Sequence, residues 1–251
     1  MDTKKKILHQ LMHVGELLLI SGAEIQRVEE TISRMGKAYG AEETDVFAIT
    51  SSIVVTLTFS DGDMLTQTKR IRSSGRTDFS KIEDLNALSR RCCDNPLSLE
   101  ELQAELQSIR GSTQNNLFLL CGSMLAAGSL TVFFGGTALD GLMAAIIAII
   151  ICAMQKWLAP LCMNQVIFHL FCSFLAGLFI CLLSWFFPVH VDKIMIGDIM
   201  LLIPGLALTN AVRNVLLGDT ISGLMRLTES ILWAGAIACG FVLSIWVTGV
   251  W

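Results

Sequence analysis

Five runs of mainly apolar residues, at 117–135, 142–159, 166–187, 194–217 and 231–250, fill the second half of this 251-residue chain. A helix needs about 20 such residues to cross the hydrocarbon core of a bilayer, so the runs read as five transmembrane helices joined by short connections, the fourth interrupted. Charge follows the same division, since 31 of the 40 Asp, Glu, Lys and Arg residues precede Leu117. Charged residues make up 16% of the chain, against about 25% in a soluble domain, and the deficit falls in the apolar half. A formal net charge of -4 supplies no basic field for nucleic acid. Apolar residues are plentiful in both halves, which argues against disorder.

The few late charges orient the runs. With the first 112 residues cytoplasmic, the positive-inside rule places Lys156 and the stretch from Arg213 to Arg226 inside, and Asp140, His190, Asp192 and Lys193 outside. Trp157 and Trp233 then fall near the inner boundary, and Trp185, Trp246 and Trp251 near the outer one. The N-terminus reads as an amphipathic helix rather than a signal peptide. The expected location is the cell (inner or plasma) membrane, multi-pass, with the N-terminus cytoplasmic.

In the polar part, Leu8, Leu11, Met12, Gly15, Leu18 and Leu19 recur at helical spacing, with His9, His13 and Glu16 on another face. Two solvated histidines on a helix flank are commoner than a shared metal there. Ser21-Gly22-Ala23-Glu24 reads as a capping box opening a second helix, whose stripe is Ile25, Val28, Ile32, Met35 and Tyr39, with Glu29 at its edge and Gly40 as its stop. Residues 46–59 are rich in Val, Ile and Thr and read as one strand; Asp61-Gly62 is a hairpin turn and 64–71 the returning strand. Ser80 with Glu83, and Ser98 with Glu101, read as two further capping boxes before amphipathic helices. The expected fold is thus a cytoplasmic α+β domain over 1–112, followed by a five-helix transmembrane transport domain over 113–251.

Cys92 and Cys93 read as two thiols, and the other six cysteines, in or beside the apolar runs, as small hydrophobes. Neither a Gly-rich phosphate loop, a Ser-His-Asp pattern nor a Cys/His metal cluster is present, so no catalytic residue, metal or cofactor is assigned. The basic runs 69–72 and Arg90-Arg91 read as solvated faces able to meet anionic headgroups. Gly122 with Ala126, Ser123 with Ala127, and Ala236 with Gly240 offer small faces for helix packing.

The fourth run carries the chemistry. Pro204-Gly205 falls near its middle, and proline removes an amide donor while glycine loosens the backbone, so the helix is expected to break there. The start of the second half-helix then exposes amides suited to a carboxylate. Thr209, Asn210 and Arg213 follow on that half, Asn210 and Arg213 about one and two turns on. Beyond them Gly218-Asp219-Thr220-Ile221-Ser222-Gly223-Leu224-Met225-Arg226 reads as a re-entrant turn or an inner-loop helix, with Asp219 placed to pair with Arg213 or Arg226. The candidate substrate-binding set is Pro204, Gly205, Thr209, Asn210, Arg213, Asp219, Gly223 and Arg226.

The stretches SGAEIQRVEETISRMGKAYG, GG-x3-DG from Gly135 to Gly141, and PGLALTNAVRNVLLGDTISGLMR resemble the threonine/serine exporter (ThrE) family over nearly the whole chain. The length and the stop after five runs resemble its YjjP-type subunit. The resemblance implies motif positions at Ser21, Gly22, Ala23, Val28, Glu29, Pro204, Gly205, Asn210, Gly218, Gly223 and Arg226. It also implies a smaller YjjB-type membrane partner and an association with succinate export. Five spans leave the two ends on opposite sides, the logic of an inverted repeat completed by a partner chain or further copies.

The leading reading is a subunit of a secondary exporter for small carboxylate metabolites, either a succinate-like dicarboxylate or threonine and serine, with the proton as coupling ion. It would sit in the lipid bilayer as a hetero- or homo-oligomer. The alternative is a membrane-anchored enzyme whose soluble domain uses Glu24, Glu29, His9 or His13 for hydrolysis. A third assignment makes the soluble domain a regulator or assembly module.

Overall fold

The computed structural model describes residues 2–71, 77–112, 116–162 and 164–250. Arg72 of the basic run and Trp251 of the aromatic boundary lie outside them. The chain is mostly helical, with one three-stranded sheet. It divides into two compact units, one of residues 1–114 with 212–225, the other of 115–211 with 226–251.

In the first unit α1 (Asp2–Ile20) and α2 (Ile25–Ala38) lie against an antiparallel sheet of β1 (Ala41–Ile49), β2 (Ser52–Phe59) and β3 (Met64–Arg70), with α3 (Phe79–Asp94) and α4 (Leu99–Gly111) completing it. The register sets Val46 opposite Val55 and Leu57 opposite Leu65. Ile53, Val55, Leu57 and Phe59 alternate into a core shared with Leu11, Leu18, Val28, Ile32, Leu85, Leu102 and Leu106. The single strand expected over 46–59 is two strands. The chain reverses at Thr50-Ser51 without glycine or proline, and β1 starts at Ala41 because its acidic residues lie on the sheet's wetter face.

Two of the three expected capping boxes differ from the structure. Ser98 and Glu101 form theirs, each satisfying the other's backbone amide. Ser80 does not cap α3; Asp78 does, accepting from the Lys81 amide at 3.2 Å. Ser21 instead belongs to the stop of α1. The Ala23 amide donates to Leu18 O at 3.0 Å and the Gly22 amide to Leu19 O at 3.1 Å, with Gly22 at φ +84°. This is the paired-bond ending that favours glycine. A side chain at Gly22 would also meet the Thr77 backbone at 3.2 Å. The Glu24 carboxylate makes no cap bond and is free to reach elsewhere.

The second unit holds α5 (Asn116–Phe133), α6 (Ala138–Trp157), α7 (Gln165–Ser184), α8 (Val191–Leu202), the first part of α9 (Gly205–Leu216) and most of α10 (Thr220–Thr248). Four of these helices are long and apolar enough to cross a membrane, and α8 with α9 form a pair bent by 53° that would make a fifth span. The first turns of α10 include the block 220–226, expected as a separate turn or inner-loop helix. No proline intervenes, and Gly223 is buried within the helix.

Small residues set the helix spacing here. Side chains at Gly128 and Gly141 would stand 2.9 and 3.0 Å from each other's carbonyl oxygens, holding α5 against α6. A side chain at Gly197 would fall 2.7 Å from Ala127 O, which brings α8 onto α5. On α7 and α10, Gly240 abuts Ser173 and Gly177 abuts Ser244. Both residue numbers rise together, so these helices run parallel. Of the expected small faces, Ala236–Gly240 is used, extended to Ser244, and Ala127 is buried. Among the described residues nothing lies within 4 Å of a side chain placed at Gly122.

One polar junction ties this unit together at the start of α6. Thr137 and Asp140 form a capping box, and fully buried Asp140 also accepts from the His190 backbone amide at 2.8 Å and pairs with its Nδ1 at 2.9 Å. Asp140→Ala removes the cap and the acceptor for the His190 amide and ring, so we expect a loss of roughly 1–3 kcal/mol. Thermal unfolding of purified protein checks this, and an unchanged midpoint contradicts it.

Candidate functional site

The eight residues expected to bind substrate fall into two groups. In the second unit, α8 ends at Leu202, Ile203 and Pro204 are extended or non-helical, and α9 begins at Gly205. Pro204 O accepts the first α9 bond, from the Leu208 amide at 3.0 Å, and the Gly205 amide turns back onto Ile203 O at 2.9 Å. Helix geometry leaves the amides of Leu206 and Ala207 without an intrahelical acceptor. Thr209 is exposed and its hydroxyl is spent on Gly205 O at 2.8 Å. Asn210 is half-buried, and no described hydrogen bond reaches its side chain. Arg226 lies in α10, where its carbonyl accepts from the Ser230 hydroxyl.

In the first unit are Arg213, Asp219 and Gly223. Arg213 is ion-paired with Glu24, not with Asp219 as the sequence allowed. The reason is local: the α1 stop turns the chain so that Glu24 heads α2 with its carboxylate uncommitted. The same paired-bond stop ends α9, with the Asp219 amide on Asn214 O at 2.9 Å, the Gly218 amide on Val215 O at 3.1 Å, and Gly218 at φ +92°. Around this turn three buried polar atoms lack a hydrogen-bond partner among the described residues: Asn214 Nδ2, Asp219 Oδ2 and Ser222 Oγ. Buried polar atoms of this kind call for water or a ligand.

Glu29 faces the same turn electrostatically. Burial pushes its carboxyl above the ordinary range; the Ala48 amide, donating at 2.9 Å, opposes this, and the charge of Asp219 adds to it. Two charges therefore meet opposite fates at the head of α2, Glu24 neutralised by a guanidinium and Glu29 half-buried beside a second acid.

The carboxylates a hydrolytic site would draw on are committed. Glu24 holds Arg213, Glu29 accepts from Ala48, and Glu16, 3.6 Å from His13, takes the Lys69 ammonium at 2.6 Å. Burial lowers the His13 pKa below the usual imidazole value. Among the described residues no group of three or more His, Cys, Asp or Glu could hold a metal. Cys92 is a buried free thiol, pushed up by that burial, and Cys93 is free beside it.

Sequence reasoning missed Asn214, Ser222 and the Asp140–His190 junction. The first two are ordinary polar residues whose burial depends on the turn at Gly218. The third was within reach: Thr137 stands three residues before Asp140, the spacing of a capping box.

No curated protein matches the chain, and neither does any solved structure. The ThrE family model, described as "Putative threonine/serine exporter", matches residues 9–247. A match over that span, on a helical chain with four helices apolar and long enough to cross a membrane and a bent helix pair, means that this protein belongs to the ThrE family of threonine/serine exporters.

Proposed function

We propose that the protein is one subunit of a secondary exporter that moves small carboxylate metabolites, threonine and serine or a succinate-like dicarboxylate, out of the cell. The observation that carries this reading is the break at Pro204-Gly205 inside a candidate span, with Asn210 and Arg213 three residues apart on the helix that follows. Residues at that spacing share a face, and half-helix amides favour an anionic group. In this reading Arg213 and the amides of Leu206 and Ala207 hold the carboxylate, and Asn210 selects by hydrogen bonding. Pro204, Gly205 and Thr209 shape the break, while Asp219, Gly223 and Arg226 line the turn beyond it.

The parallel run of α7 and α10 supports five spans, because the chain between two parallel helices has to return across the membrane. With the N-terminus cytoplasmic, residues 1–112 form a domain on the inner face that regulates or assembles the transport part, and the chain works in the cell membrane. An odd span count favours a smaller membrane partner of YjjB type, or further copies, to complete the path.

The experiment is efflux of labelled threonine, serine and succinate from vesicles holding the full chain, with and without the smaller subunit. Asn210→Ala is expected to reduce efflux about tenfold or more by removing a substrate-positioning bond, while membrane insertion is kept. Efflux equal to the parent's would remove Asn210 from the site.

A further inference from the structure

Asp198 lies within α8 and is completely buried, yet neither carboxyl oxygen has a hydrogen-bond partner among the described residues. Its own helix buries Ile194, Met195 and Leu202 around it. Next to it, Gly197 brings α8 so close to α5 that a side chain there would overlap Thr131 Oγ1, but that hydroxyl already donates to Ala127 O at 2.8 Å. An acid in an apolar span is expensive, and such residues mark proton or substrate paths. An unpaired carboxylate in this setting would cost many kcal/mol, whereas a neutral acid is tolerated.

Among the described residues no cation pairs with Asp198. Cys121 is the one titratable residue of α5; α6 carries Asp140, already paired with His190, then Cys152 and Lys156 toward its far end. His169, Cys172 and Cys181 are on α7, and Asp192 with Lys193, paired to each other, on the first turn of α8. A metal ion would need several oxygen ligands, which a lone carboxyl does not supply.

We propose that Asp198 is the proton-binding site of the membrane part, protonated in the packed arrangement and deprotonated when the bundle opens beside the Pro204 break, so that proton entry is exchanged for substrate export. Asp198 precedes Leu202, the last residue of α8, by four residues, about 6 Å of helix, and Pro204 follows two non-helical steps later. On opening, the O–H bond breaks, its electron pair stays on the carboxylate and water takes the proton. Reprotonation from the other side precedes closure. The inference rests on the exporter reading for its coupling, but the protonated acid itself can be tested alone.

Infrared spectra of the full chain in lipid vesicles at neutral pH should show the carbonyl stretch of a protonated carboxylic acid that is lost in Asp198→Asn. Should Asp198→Asn fail to insert, Asp198→Glu must shift that band. A band that is absent, or that neither variant changes, overturns the proposal. In vesicles loaded with labelled threonine, serine or succinate, an inward proton gradient should accelerate efflux, and Asp198→Asn should weaken that response about tenfold or more; an intact response also overturns it. If the parent moves none of the three substrates, the exporter reading fails, and the infrared result still decides whether Asp198 holds a proton.

Discussion

Arg213→Glu is expected to abolish export, whereas Glu24→Gln is expected to improve apparent affinity for substrate. Both follow from the ion pair at the head of α2, in which a side-chain carboxylate occupies the guanidinium proposed to hold a substrate carboxylate. Arg213 is about half exposed (54%) and Glu24 less so (30%). At such exposure an ion pair is worth about 0.2–1 kcal/mol. Stability therefore changes little in either variant, and the effect on export comes from competition. Removing an internal competitor of that strength lowers the half-saturating concentration by about 1.4- to 5-fold. Placing Glu at 213 removes the cation and sets a like charge beside Glu24. Efflux measured against substrate concentration separates the two effects, and a Glu24→Gln protein with weaker apparent affinity would assign the pair to assembly.

The second large effect is structural. Gly240→Val should destabilise the membrane helices by about 1–3 kcal/mol and sharply cut the yield of monodisperse protein. Any side chain there would lie 2.0 Å from Ser173 Oγ and, more seriously, 2.6 Å from Leu170 O and 2.9 Å from Phe174 N. A hydroxyl can rotate away, but the backbone of α7 cannot. Gly235 on the same helix has nothing within 4 Å, so Gly235→Ala controls for helix propensity alone. Melting in detergent distinguishes them, and equal losses would show that packing at Gly240 is not what holds α7 to α10.

How much of this was legible in the sequence depended on the range of the interaction. The apolar runs and the stripe of α2 are local periodicities, and the structure keeps them. Pro204-Gly205 announced its break for the same reason, since a missing amide donor acts within one turn. Ser21 and Glu24 show where local reading fails: their spacing fits a capping box, but it equally fits a glycine stop followed by a free carboxylate, and the choice is made by Thr77 against Gly22 and by Arg213, far along the chain. Asp198 went unread because one acid in an apolar run looks like noise in a charge count; only its complete burial without a partner gives it meaning.

The length of α10 has a further consequence. Its 29 residues make a rod of about 43 Å, more than the ~30 Å hydrocarbon thickness. The apolar portion begins only after Glu229, however, and from Ile231 to Thr248 it covers about 27 Å. The longest helix among the described residues therefore has no greasy length to spare. Thickening the bilayer would draw Glu229, and then Arg226, toward the lipid before any other charge on this helix, which makes bilayer thickness a control on this end of the molecule.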